Sequence, residues 1–98
     1  MPVYVGLFNF TESGLRAVRE APARTREVVL WLEDQGFEVK SAYFTMGQYD
    51  LICVIESPDE HAQIRAVLAL NQQGLFRTTT LRAYSVDEFA NIIEEYPQ

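Results

Sequence analysis

The chain holds a single cysteine, Cys53, a single histidine, His61, and a single lysine, Lys40. Each scarcity excludes something. One cysteine leaves no partner for a disulfide within the chain. Its place inside the apolar run Leu51–Ile55 suits an inert buried thiol better than a nucleophile. One histidine and one cysteine cannot supply the ligand sets of a zinc or haem site, so no metal and no cofactor is expected. His61 falls in the first turn of a helical segment beside Ile64, where a partly exposed helix residue is a simpler reading than a base or ligand. Cations are few, 8 against 14 carboxylates, for a net charge of −6. Nucleic acid and acidic membrane surfaces both demand clustered positive charge and are poor partners. No apolar run is long enough to span a bilayer, and no charged-then-apolar leader is present. A mature chain starting at or near Met1, in the cytoplasm, is therefore expected. Repeats, low-complexity tracts, phosphate-binding glycine loops and nucleophile elbows are also missing.

What is present suffices for one domain over residues 1–98, since 48% of the residues are hydrophobic. The chain is organised around Ser41–Glu56. Tyr43, Phe44, Thr45 and Met46 favour extended backbone, and Leu51 to Ile55 favour it more strongly. Between them Gly47-Gln48 predicts a tight hairpin turn, with Gly47 supplying the positive φ that its first central position needs. Asp50, just past the turn, has two readings. It tethers the loop by accepting backbone N–H groups, or it serves a ligand.

Val3–Phe10 reads as a first strand whose two sides are both largely apolar, Val3, Val5, Leu7 and Asn9 on one and Tyr4, Gly6, Phe8 and Phe10 on the other. Thr11 caps a short helical turn with Leu15 and Val18 as its apolar face. Pro22 opens the main helix, to about Gln35, with Thr25, Val28, Val29 and Leu32 in one stripe and Trp31 on its flank. Gly36 suits the left-handed position after it, and Phe37 folds back on the last turn. Strands follow from Glu38 and to Glu56. Ser57, Pro58 and Glu60 predict a capped helix start, with Ile64, Val67 and Leu68 marking its buried face. Leu75–Tyr84 is a fourth strand, and Ser85 with Glu88 forms a second capping box ahead of a C-terminal helix striped by Phe89, Ile92, Ile93 and Tyr96.

The order strand, helix, strand, strand, helix, strand is the α+β ferredoxin-like βαββαβ pattern, with an extra helix at the end. Right-handed crossovers give a four-stranded antiparallel sheet of order 4-1-3-2 with the helices on one face. The first and third strands then lie in the centre, and they are the most apolar. An antiparallel sheet with one free face normally alternates apolar and polar residues, and these strands do not. Something must cover the second face. The same face of a second copy would do so, as in a dimeric α/β barrel, or the C-terminal helix would cross it.

Tyr4–Thr11, Pro22-Ala23-Arg24, the block Tyr43–Asp50 and Thr80–Ala83 together resemble the GYD domain family over nearly the whole length of the chain. The resemblance implies a small bacterial or archaeal protein related to dimeric α/β barrels. It implies no activity, and its relatives by fold include cofactor-free monooxygenases, small-molecule-sensing domains and degradative enzymes.

Two loci hold the candidate ligand-binding residues. At the hairpin end, Asn9, Thr11, Tyr49, Asp50 and Arg77 converge in the proposed topology, as a hydrogen-bond network or as a site. On a sheet face, Tyr43, Thr45, Thr78, Thr80 and Arg82 surround Tyr4 and Phe8, as a pocket lining or as a plain dimer interface. No residue is assigned as catalytic. The arginines Arg16, Arg19, Arg24 and Arg26, interleaved with Glu20 and Glu27, read as a solvated helical surface. The preferred function is an oligomeric module, self-associating as a homodimer or larger, that binds a small molecule or serves assembly without catalysis. The alternative is a cofactor-independent enzyme, monooxygenase- or isomerase-like, moving protons through Tyr43, Tyr49, Asp50 or His61.

Overall fold

A computed structural model describes residues 1–97. The strands are β1 (Val3–Phe10), β2 (Glu38–Phe44), β3 (Leu51–Glu56) and β4 (Phe76–Ala83). The helices are α1 (Glu12–Arg16), a 3₁₀ turn at Val18–Glu20, α2 (Ala21–Asp34), α3 (Glu60–Gln72) and α4 (Val86–Glu94). The sheet is antiparallel throughout, in the order β2-β3-β1-β4, which is the expected ferredoxin-like arrangement. Central β1 and β3 pair Tyr4 with Ile55, Gly6 with Cys53 and Phe8 with Leu51 on the face beneath α2 and α3. Tyr4 and Ile55 enclose the core there with Leu32, Phe37 and Ala66. Among the described residues no helix is long and apolar enough to cross a membrane.

Local chemistry sets the element ends. The Thr11 hydroxyl accepts from Gly14 N–H at the start of α1. After α2, Gly36 takes a φ of 94°, so that Phe37 N–H reaches back to Leu32 O while its ring is buried. Ser85 and Glu88 form the complete reciprocal capping box of α4.

Three expectations are corrected. The hairpin turn is wider than two residues. The last paired residues are Phe44 and Leu51, and Thr45–Asp50 forms the connection, with Gly47 at φ 119° within it. Ser57 does not cap α3; Asp59 does, accepting from Ala62 N–H at 2.8 Å. Ser57 is instead fully buried, its hydroxyl bonded to the Gln63 side chain. The register of α3 shifts accordingly. Gln63 and Ala66 face inward, whereas Ile64 and Leu68 are 51% and 58% exposed.

The C-terminal helix does not cross the helix-free face. Every residue of α4 is exposed, Phe89, Ile92 and Ile93 at 54%, 47% and 50%. The radius of gyration is 15.1 Å, against about 13 Å for a compact domain of this size. The long dimension, 53 Å, exceeds the ~27 Å of an eight-residue strand by about the length of a projecting helix and its linker.

Candidate interaction face and the polar network at its end

The two faces of the sheet have different chemistry. On the helix-covered side, Thr78, Thr80 and Arg82 of β4 stand opposite Phe8, Gly6 and Tyr4. On the other side, Val5 and Leu7 of β1 stand between Val54 and Ile52 of β3 and Leu81 and Thr79 of β4. Ser41 and Tyr43 of β2 complete that second layer, opposite Val54 and Ile52. The predicted sheet-face locus is therefore split. Tyr4, Thr80 and Arg82 lie under the helices, while Tyr43 lies on the helix-free face and is 68% exposed. The cause is a bulge at Lys40, where the register shifts between Val39 and Ser41. Regular alternation would have put Tyr43 on the inward side with Val39; one extra residue turns it outward.

The helix-free face has an apolar middle and polar ends. Val5, Leu7, Ile52 and Val54 are half-buried by their neighbours alone, and Leu81 is exposed. At one end Lys40 Nζ bridges Glu38 and Glu56 at 3.3 and 3.1 Å. Those carboxylates are directly opposed in the ladder, and the bulged lysine neutralises their repulsion. Hydrogen bonding to Lys40 lowers the pKa of Glu56, and bonding to Glu56 and Glu38 raises that of Lys40. At the other end stand Asn9 and Arg77, cross-strand partners.

Of the hairpin-end residues, Asn9 and Asp50 join the hairpin connection to β1, and Thr11 bonds the loop before β4. Asp50 Oδ2 accepts from Phe10 N–H at 2.8 Å, Asp50 N–H donates to Phe8 O at 2.8 Å, and Asp50 O accepts from Thr45 N–H at 2.8 Å. Asn9 Nδ2 donates to Gln48 O at 2.7 Å, and the Thr45 hydroxyl donates to Tyr49 O at 2.6 Å. The Thr11 hydroxyl donates to Gly74 O at 2.6 Å. This network stitches the connection 45–50 to the end of β1. Tyr49 itself is half-buried. Arg82 acts likewise at the opposite end. It bonds the carbonyls of Val3 and Ala83 and lies over the Tyr84 ring at 4.4 Å and the Tyr4 ring at 5.6 Å. His61 is exposed, and no group of candidate metal ligands occurs among the described residues.

A cavity of about 80 Å³ lies between the sheet and the helices, walled by Gly6, Val28, Leu32, Cys53, Ala66 and Leu70 among others. Burial raises the pKa of the Cys53 thiol there, which opposes thiolate chemistry. Phe8, Thr78 and Thr80 of the expected sheet-face locus also line this space, whereas Tyr43 lies on the opposite face. The cavity's other wall comes from α2 and α3, through Val28, Leu32, Ala66 and Leu70, and the place of a helix over the sheet leaves no mark in a periodic pattern.

The GYD domain matches residues 4–93. The chain belongs to the GYD domain family. Over 87 residues it is 36% identical to the "Glutamine synthetase and cystathionine beta-lyase binding protein" of Thermus thermophilus, covering 88% of this chain and 92% of that one. Among solved structures, the crystal structure of an FFRP protein superposes with a TM-score of 0.60 at 22% identity, over 86% of this chain and all of that one. A hypothetical protein, PHS023, from Pyrococcus horikoshii gives 0.57 at 23% identity, over 87% and 92%. At these identities the structural likenesses show a shared fold. The name of the GYD relative describes binding.

Proposed function

We propose that this GYD protein is a cytoplasmic homodimeric module that binds a partner protein and does no chemistry on it. The observation that carries self-association is the helix-free face, an apolar centre of Val5, Leu7, Ile52, Val54 and Leu81 with charged or polar residues at both ends. That is the anatomy of an interface, with a desolvated middle inside a polar rim. The protein's own α4 leaves the face uncovered. A second copy supplies the same patch in a two-fold arrangement.

The absence of catalysis rests on how the polar residues are spent. Asp50, the alternative's candidate base, is occupied by backbone donors, and Tyr43 stands on the other side of the sheet from Thr80 and Arg82. Partner binding rests on the named relative, which makes glutamine synthetase and cystathionine β-lyase the first partners to try. The test uses the purified full-length protein with each of these two enzymes from the same source, by surface plasmon resonance and co-elution. Saturable binding to either enzyme with an unchanged subunit of the small protein supports the reading. No binding to either, together with a monomeric mass at all concentrations, overturns it.

A further inference from the structure

Helix α4 is the feature that the sheet-face reading leaves unexplained. Its four residues Phe89, Ile92, Ile93 and Tyr96 follow i, i+3, i+4, i+7 spacing and make one apolar stripe. All of them face solvent, Tyr96 at 69% exposure. Helices shorter than ~12–15 residues are marginal in water by themselves, so most of their stability comes from packing. A nine-residue helix with an apolar stripe and nothing against it needs a surface from outside its own subunit.

Its charge says which surface. Residues 86–95 carry Asp87, Glu88, Glu94 and Glu95 and no cation. Half of the chain's cations, Arg16, Arg19, Arg24 and Arg26 of 8, lie in one stretch that starts at α1, with Glu12 and Glu20 as the carboxylates there. Within that stretch Leu15 and Val18, the apolar face of the short helical turn, are 59% and 44% exposed. An apolar pair flanked by arginines is the complement of an apolar stripe flanked by carboxylates. The two sites cannot meet within one subunit. α4 leaves the sheet where Val3 pairs Ala83, and α1 begins at the opposite end, beyond the pairing of Phe10 with Phe76.

We infer that α4 is an exchanged arm, which docks on the Leu15–Val18 segment of a second copy. The inference rests on the sheet-face dimer. When the two helix-free faces stack with their strands reversed, the α4 end of each copy lies over the α1 end of the other. The areas leave room for such an arm. Four strands about 4.8 Å apart and ~20 Å long offer roughly 400 Å² of flat face, while a stable interface takes about 800 Å² of accessible surface from each partner. Two reciprocal arms supply much of the remainder.

The experiment follows dimerisation and α4 order together in the full chain. Hydrogen exchange of residues 86–94 is measured across a dilution series alongside light scattering. Expected are α4 amides protected in the dimer, losing protection with the same midpoint as dissociation. Ending the chain at Tyr84 should raise the dissociation constant tenfold or more, and so should joint Phe89→Ser, Ile92→Ser and Ile93→Ser. Reversal by Glu94→Arg with Glu95→Arg should weaken the dimer at least threefold, and adding Arg16→Glu with Arg19→Glu should restore it. A dimer whose constant ignores these changes, and whose α4 exchanges freely, overturns the arm while leaving the sheet face standing. Protection of α4 that does not vary with dilution means docking within one subunit and also overturns it, as does protection appearing only on adding another protein. A full-length chain that stays monomeric at every concentration sinks the sheet-face reading and the arm together.

Discussion

Placing a carboxylate at the centre of the helix-free face, Val54→Asp, should convert the protein to a monomer. Val54 sits on central β3 between Val5 and Ser41, at the middle of the apolar patch. Each of Val5, Leu7, Ile52, Val54 and Leu81 still exposes part of its surface, and burying that remainder yields about 1 kcal/mol apiece, so ~10 kcal/mol for the two copies together. Against the lower end of the roughly 4–15 kcal/mol that association costs, this leaves a modest dimer. An unpaired buried charge costs about 3 kcal/mol or more, and the two-fold axis introduces it twice. At 1.4 kcal/mol per decade, the dissociation constant should rise at least a hundredfold. In the isolated subunit Val54 still exposes part of its side chain, and a circular-dichroism melt of the variant checks that the monomer's fold survives. Light scattering across dilution measures the mass, and a melting temperature that no longer depends on concentration checks the linkage. A Val54→Asp protein that is still dimeric, with a constant within threefold of the parent, would refute the assignment of this face.

Other perturbations test the scaffold and the arm. Asp50→Ala removes the acceptor of Phe10 N–H and should cost about 1.5–3 kcal/mol; thermal unfolding should shift by roughly 4–8 °C per kcal/mol for a domain of this size. Gly14→Ala should prevent accumulation of folded protein, because a Cβ there would lie 2.0 Å from Leu75 O; a normal circular-dichroism melt would contradict the close approach. Ser57→Ala leaves the buried Gln63 amide without its partner and should destabilise by ~1–3 kcal/mol, read by urea unfolding. Finally, the pKa of Glu88 is lowered, chiefly by the backbone N–H of Ser85, so its stabilising effect is complete above the model-compound value of 4.5 and disappears as pH falls through the lower folded value. Helical signal from α4 should therefore decline in that acidic window before the sheet does, monitored by exchange or circular dichroism, and Glu88→Gln should blunt the pH dependence.

Much of the fold was legible because the strong signals were redundant. The most apolar strands had to be central, Gly36 had to follow a helix, and Ser85 with Glu88 had to start one. The misread parts share a cause, a polar residue serving a tertiary contact. Gln63 turns inward to meet Ser57, and this rotates α3 so that Ile64 and Leu68 look outward. Two acceptors, Ser57 and Asp59, competed for the cap, and burial of Ser57 removed it from contention. Lys40 occupies a bulge set by the carboxylates on either side of it, which reversed the side on which Tyr43 emerges. The candidate site was half legible. That Asn9 and Asp50 come together follows from strand order, whereas the split of Tyr43 from Tyr4, Thr80 and Arg82 follows from one inserted residue.

The same accounting bears on function. A reactive site needs polar groups that are pointed at open space and not already satisfied by the fold. Here Asp50, Asn9 and Thr45 close the hairpin end, Thr11 bonds Gly74 O before β4, and Ser57 is paired with Gln63. Thr78 donates to Asn71 at 2.8 Å, and Arg82 is held between two carbonyls and two tyrosine rings. Large apolar side chains nevertheless face solvent, among them Leu15, Val18, Leu81 and the stripe of α4. Unsatisfied apolar surface has one use in water, which is to be covered. Polar groups held by the fold, with hydrophobic side chains exposed at both ends and across one face, are what the proposed association with other chains rests on.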